Sequence, residues 1–344
     1  MRKKMKSRLN KKIAFGVAAI VLIALIVVSA FFYLNTSNSE KFETVTIGNV
    51  NGIPYGMLYV AQNQSYFTQN DLNVTLQTYA SPLASLNDLI KGKVDVAICA
   101  EYPVVTQAFN NANISIIATI NQFNTVYIIA RSDKGILNAT DLVGKRIGLS
   151  SGTAPQFYLS RFLSSNNIPQ QNVTYVYFPP GSSLTDQVNE LANGTIDADV
   201  NDVTTIAVAQ AKLGSNNIVA FPAQAGQSAF MSMVCRNDWI VNNTQTINQL
   251  LKALAQAETY TINYPTETKS IIENKLNLTV ASNLWLNYQF SLSLSQSLIT
   301  AMQDEAQWMI TNQLTNQTQI PQFTNYVYTA GLMAVKPHSV TIIK

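Results

Sequence analysis

From Glu43 onward the chain alternates between short runs rich in Val, Ile and Thr and amphipathic stretches of about ten residues. β-branched side chains are stiff at χ1 and pack well on a pleated surface. ETVTIGN, LNVTLQTYA, VDVAICA, ISIIATI and TVYIIARS are therefore predicted strands. Helices are predicted from Tyr55 to Asn63, over LASLNDLIKG with Gly92 as its stop signal, and over PVVTQAFNN. The pattern then restarts. KRIGLSS, VTYVYFP, IDADVND and NIVAFPA read as strands, and Ala154–Ser165, LTDQVNELANG and TTIAVAQAKLG as helices, with this second series ending near Gly226. SAFMSMVCRNDW follows as one strand. From Thr246 the remainder reads as nearly continuous helix, with breaks at Pro265, around Asn277 and at Pro321.

Alternating strands and helices build mainly parallel sheets. Two such series followed by a helical tail predict two lobes, the first from residues 43–131 and 227–344 and the second from 132–226. The chain would cross between them near Tyr127–Arg131 and Gln224–Phe230, a two-strand hinge. Open α/β sheets bind ligands outside the carboxyl ends of their strands, so a solute would lie in the crevice between the lobes.

Ahead of this body, Ile13 to Leu34 is apolar and without charge, and residues 1–12 hold seven of the 22 Lys and Arg. A helix of that length, at about 1.5 Å per residue, spans a hydrocarbon core of roughly 30 Å. The reading is a cytoplasmic basic segment (1–12), a transmembrane anchor (13–34) and a polar linker (35–42), with the bulk of the chain outside the cell membrane. A cleaved signal peptide ending near Val28-Ser29-Ala30 is the alternative. Ten Asn-X-Ser/Thr sequons, among them Asn138 and Asn193, fit a glycosylated surface protein. Removing the seven terminal cations leaves 15 basic against 19 acidic residues, a net charge near −4. That balance argues against a nucleic-acid partner, which needs clustered cations.

Catalytic chemistry finds little support. One histidine, His338, stands near the end of the chain, so no triad and no two-histidine metal site can form. No phosphate-binding glycine loop or nucleophile elbow is present. No cofactor or metal is expected, and the chain is not read as an enzyme. The candidates are instead polar turns between strands and helices. Asn51 and Tyr55 follow the first strand, Ser81 the second, Glu101 and Tyr102 the third; Asn121 and Phe123 precede the crossing. In the second series the equivalents are Ser151, Gly152 and Thr153, then Asp202 and Thr204. Helix starts leave backbone N–H groups unpaired and attract anions, although the same residue types also act as caps. Glu101 either caps the following helix or pairs with a cationic ligand or a hinge group. Cys99 and Cys235 lie in apolar runs and are open to both a disulfide and two buried thiols.

These pieces together resemble a known family. VTIGN with LYVAQNQSYFTQNDLNVTL, LNDLIKGKVDVAICAEYPV, DLVGKRIGLSSGTAPQFYLSRFL, VNELANGTIDADV, LSQSLITAMQDEAQWMI and FTNYVYTAGLMAVKP occur in this order. The chain is similar to the substrate-binding proteins of nitrate, sulfonate and taurine ABC importers, a group that includes binders of thiamine-precursor pyrimidines. The resemblance implies a type II periplasmic-binding-protein fold. It also implies a monomer that captures a small solute and delivers it to a permease and an ATPase. The ligand contacts would fall on the turns named above, where the absence of Arg and Lys argues against a strongly anionic sulfonate. Pyrimidine synthases share the fold but use a His and a Cys-rich motif, neither of which this chain has. The family's sheet would set Cys235 several residues beyond the point opposite Cys99, so the thiols should be free. A surface sensor or adhesion module is the remaining alternative.

Overall fold

The computed structural model describes Ile26 and residues 42–150, 153–178 and 184–343, of which Leu184 and Thr185 are described by backbone alone. Residues 43–344 form one compact unit. The predicted anchor at 13–34 lies outside the described residues, apart from helical Ile26. No helix among the described residues is long and apolar enough to cross a membrane.

The first series begins with β1 (Glu43–Asn49), α1 (Gly56–Asn63), β2 (Leu72–Thr78), α2 (Pro82–Ile90), β3 (Val96–Ala100), α3 (Glu101–Phe109) and β4 (Ile114–Phe123). The second holds β5 (Val126–Arg131), β6 (Arg146–Ser150), α4 (Ala154–Ser165), β7 (Thr174–Phe178), α5 (Leu184–Asn193), β8 (Ala198–Asp202), α6 (Thr204–Leu213) and β9 (Ile218–Pro222). The tail supplies β10 (Ala229–Arg236), α7 (Asn237–Asn242), α8 (Thr244–Asn263), α9 (Pro265–Leu276), β11 (Tyr288–Ser293), α10 (Gln296–Thr311) and α11 (Ala330–Val335).

The strands sort into two sheets, ordered β11-β4-β10-β3-β1-β2 and β7-β6-β8-β5-β9. Within the first, β1 runs parallel to β2 and β3, while β10 is antiparallel to both of its neighbours. Central β3, β4 and β10 are buried almost throughout, as strands covered on both faces must be, and edge strand β2 alternates. In the second sheet β5 is the reversed strand, antiparallel to β8 and β9.

The chain passes between the sheets at Asn124–Thr125 and returns over residues 223–228. The first passage therefore lies just before β5, next to the crossing that the sequence sets near Tyr127–Arg131. Gln224, 3% exposed, ties the two passages together. Its Oε1 accepts from Val126 N at 3.0 Å, and its Nε2 donates to the carbonyls of Phe123 and Gln227, each at 3.0 Å.

Two predictions in the tail fail. SAFMSMVCRNDW divides into β10 and the short helix α7. The continuous helix is interrupted by β11, which pairs antiparallel with β4, and by a stretch after α10 with little regular structure. Tyr288–Ser293 alternates apolar and polar side chains, a strand pattern that the surrounding helical periodicity obscures. Leu292 N, at the heart of β11, donates to Glu258 Oε1 at 3.0 Å, and the other Glu258 oxygen takes Lys336.

Candidate functional site

Each polar turn is held first by its own backbone. In the β1–α1 turn, Tyr59 Oη accepts from Gly52 N at 3.3 Å; Asn51 is exposed and Tyr55 is buried in the core. Asn121 is fully buried in β4, and its Nδ2 donates to Pro54 O at 3.4 Å. Ser81 Oγ accepts from Ala84 N at 3.2 Å, capping α2. Asp202 Oδ1 accepts from Thr204 N at 3.0 Å and from Thr204 Oγ1 at 2.7 Å, at the first residue of α6. Thr153 donates its hydroxyl to Ser150 O at 2.7 Å, while Ser151 and Gly152 lie outside the described residues. Phe123 is buried at the end of β4, where its carbonyl receives Gln224. The starts of α2 and α6 thus already have side-chain acceptors.

Glu101 departs from this pattern. It opens α3, is 1% exposed, and its Oε2 accepts from Phe230 N at 2.8 Å. Its Oε1 and both oxygens of Glu305, which α10 places fully buried beside it, meet no partner beyond each other and the Tyr158 hydroxyl. The Tyr158 hydroxyl reaches the same point from α4, and the hydroxyl of Tyr102 and the indole Nε1 of Trp308 are buried without partners. Burial pushes the Glu101 carboxyl up to about 7, held from rising further by the amides of Phe230 and of Glu101 itself and by the neighbouring Glu305 and Tyr158. Burial drives Glu305 well above the usual carboxylate range, and the charges of Glu101 and Asp304 drive it further. Two buried carboxyls in contact cannot both ionise, so the pair retains a proton.

Aromatic rings surround the pair. Phe157 stands 5.1 Å from Tyr158 and 5.7 Å from Trp308, and Tyr102 stands 6.3 Å from Trp308, measured between ring centroids. Arg161 lies across the Phe157 ring at 5.6 Å and directs Nη1 at Asp304, 3.5 Å away. A cavity of about 400 Å3 opens beside the return passage between the sheets, lined among others by Arg161, Gln227, Phe230, Ala301 and Asp304.

Glu101 and Tyr102 are thus the predicted residues brought into one cluster; Ser81 caps α2, Asp202 holds Thr204 at the start of α6, and Asn51 is exposed. Sequence reasoning missed Glu305, Tyr158, Trp308 and Arg161; the last is a cation supplied from within α4, outside the turns that the expectation covered. Glu305 had a legible mark. It continues the buried stripe of Leu298, Met302 and Met309 on α10, where a carboxylate has no ordinary place.

The cysteines are free and buried. Cys99 faces Ser232 and Cys235 faces Val96 across the β3–β10 ladder, three residues out of register. Burial pushes both thiols up. His338 is exposed.

The chain matches known proteins in sequence and in fold. A protein of Bacillus subtilis (strain 168) named "Putative binding protein YtlA" is 22% identical over 266 residues, 74% of this chain and 76% of the relative. The periplasmic aliphatic sulphonate binding protein SsuA from Escherichia coli superposes with a TM-score of 0.70 at 14% identity, covering 83% of this chain and 92% of its own. The desulfurization enzyme DSZB superposes at 0.65, also at 14% identity, covering 86% of this chain and 99% of its own. These likenesses establish the periplasmic-binding-protein fold, a mixed α/β architecture of two sheets. The NMT1/THI5 like family model matches residues 54–268, more than half of the 344, and the chain belongs to that family.

Proposed function

We propose that the chain is the extracytoplasmic solute-binding subunit of an ABC importer, anchored by residues 13–34 and acting by closure of two lobes. The two sheets are the lobes, and the passages at 124–125 and 223–228 are the hinge. The observation that carries this reading is the cluster of Glu101, Glu305 and Tyr158, which joins polar groups from both sides of the hinge. Ligand contact with both lobes favours the closed form, so a permease can tell loaded from empty protein by shape, without chemistry at the site.

An enzyme on this fold is the second reading, favoured by the likeness to DSZB. Two buried thiols held away from the thiolate form and one exposed histidine supply no activated nucleophile for it.

Cross-linking the full chain in its native membrane, with mass spectrometry of what it retains, tests the importer. A permease and an ATPase should be recovered, and protease added to intact cells should cut within 43–344. Recovery of neither subunit, or full protection of that segment, would sink the proposal.

A further inference from the structure

We propose that the exposed Asn-X-Ser/Thr asparagines of this chain carry N-linked glycans, which coat the ends of the two sheets away from the crevice and leave the crevice rim bare. This rests on the extracytoplasmic reading above. All nine sequon asparagines among the described residues are exposed. Nearly half of the other described asparagines are buried or half-buried, with Asn49, Asn70, Asn121 and Asn201 among the buried. Sequons that arose by chance in an Asn-rich chain would share that burial. These do not.

Their placement is one-sided as well. In the first sheet β1, β2 and β3 run parallel, and the reversed strand β10 ends with Arg236 opposite Ile114, where β4 begins. Asn63 closes α1 on the way to β2, Asn73 is the second residue of β2, Asn113 immediately precedes β4, and Asn242 closes α7 just after β10. In the second sheet β6, β7 and β8 are parallel, and β5 ends where β8 begins, with Ala130 opposite Ala198. Asn138 lies between β5 and β6, Asn172 shortly before β7, and Asn193 closes α5 on the way to β8. Asn277 and Asn316 follow α9 and α10 in the tail. The crevice lies outside the opposite ends of the parallel strands. Asparagine is not scarce there: Asn49, Asn51, Asn121, Asn124 and Asn201 stand at those strand ends, the turns after them and the first passage, yet none has Ser or Thr two residues on. A glycan is bulky and solubilising, so the outer ends accommodate it whereas at the rim it would obstruct closure.

The modification is a group transfer with this chain as acceptor. The Asn Nδ2 attacks the anomeric carbon of an oligosaccharide borne on a lipid phosphate. A carbon–nitrogen bond forms, the bond from that carbon to the phosphate oxygen breaks, and the lipid phosphate leaves with the proton that the amide gives up. At Asn138 the side-chain oxygen accepts from Thr140 N at 3.0 Å and from Thr140 Oγ1 at 2.5 Å. Asn193 accepts likewise from Thr195 N at 2.9 Å and from Thr195 Oγ1 at 2.7 Å. The hydroxyl that the motif requires thus sits on its own asparagine at both sites.

Mass spectrometry of proteolytic peptides from the full chain, isolated from its native membrane, tests the proposal. Sugar should be found on the sequon asparagines of the outer ends and on none of Asn49, Asn51, Asn121, Asn124 and Asn201. Thr195→Ala, at an exposed position, should remove the sugar from Asn193 alone, and Thr195→Ser should retain it. Sugar on none of the outer-end sequons, sugar on the crevice-side asparagines, or sugar that stays on Asn193 in Thr195→Ala overturns the proposal. Protease added to intact cells separates it from the topology on which it rests. Bare sequons in a segment that protease cuts discard the glycans and keep the extracytoplasmic chain, whereas bare sequons in a protected segment discard both.

Discussion

At the scale of single residues, the body is unusual in holding titratable carboxyls in its core. Glu101 titrates near 7, and Asp199 in β8 is also pushed up to about 7 by burial, with Asn201 Nδ2 donating to its Oδ2 at 3.0 Å and its Oδ1 unpaired. A carboxyl whose folded-state value is raised binds more protons folded than unfolded between its ordinary range and about 7. Its stabilising effect is therefore complete in acid and disappears as pH climbs through that window. Without added solute, the melting temperature should be highest near pH 5 and fall by pH 8. There each ionised carboxyl costs a few kcal/mol, since every tenfold change in proton affinity is worth about 1.4 kcal/mol. Asp199→Asn keeps the shape and removes one such cost, so thermal melts of this variant should show a smaller fall. A melting temperature that rises from pH 5 to pH 8 would refute this account.

Elements are fixed by contacts the local sequence does not announce. Gly56, at the first position of α1, sits so close to its neighbours that an added Cβ would meet Ile272 Cδ1 at 2.4 Å and the Phe290 ring at 2.8 Å. That small residue lets α1 approach α9 and β11 together. Gly56→Ala should destabilise by about 1–3 kcal/mol through overpacking. Ser81→Ala, which removes the cap of α2, should cost about 1 kcal/mol. Chemical denaturation of both variants checks the order, and a neutral Gly56→Ala would mean that β11 docks more loosely than its register implies. The alternation YQFSLS marks the strand, but the helical periodicity on either side hid it. Its partner was not legible, because pairing Tyr288 with Phe123 depends on where β4 lies in three dimensions.

For the whole molecule the decisive feature is the double passage between the two sheets. Gln224 satisfies Val126 N and the carbonyl of Phe123, so one side chain holds both passages in register. Gln224→Ala would leave buried polar groups unpaired, at about 1–3 kcal/mol for each. Melting should drop accordingly, and scattering should show a wider spread of lobe separations. An unchanged scattering profile would place the bending elsewhere.

Side-chain periodicity and chain order, which are local, were enough to establish the alternation of strands and helices, the two series and the prominence of Glu101. The site was legible only in part. Ser81 and Asp202 stand at strand-to-helix turns as expected, but their oxygens are taken up locally, by Ala84 N and by Thr204. Glu305 could be noticed as a charge on an apolar stripe, yet nothing in its neighbourhood names Glu101 as its companion. Tyr158 and Arg161 read as ordinary members of α4 until that helix is laid against α3 and α10. These relations belong to the folded packing because burial and electrostatic coupling depend on distance in space, and only that packing removes the water that would keep the two carboxyls apart in chemistry.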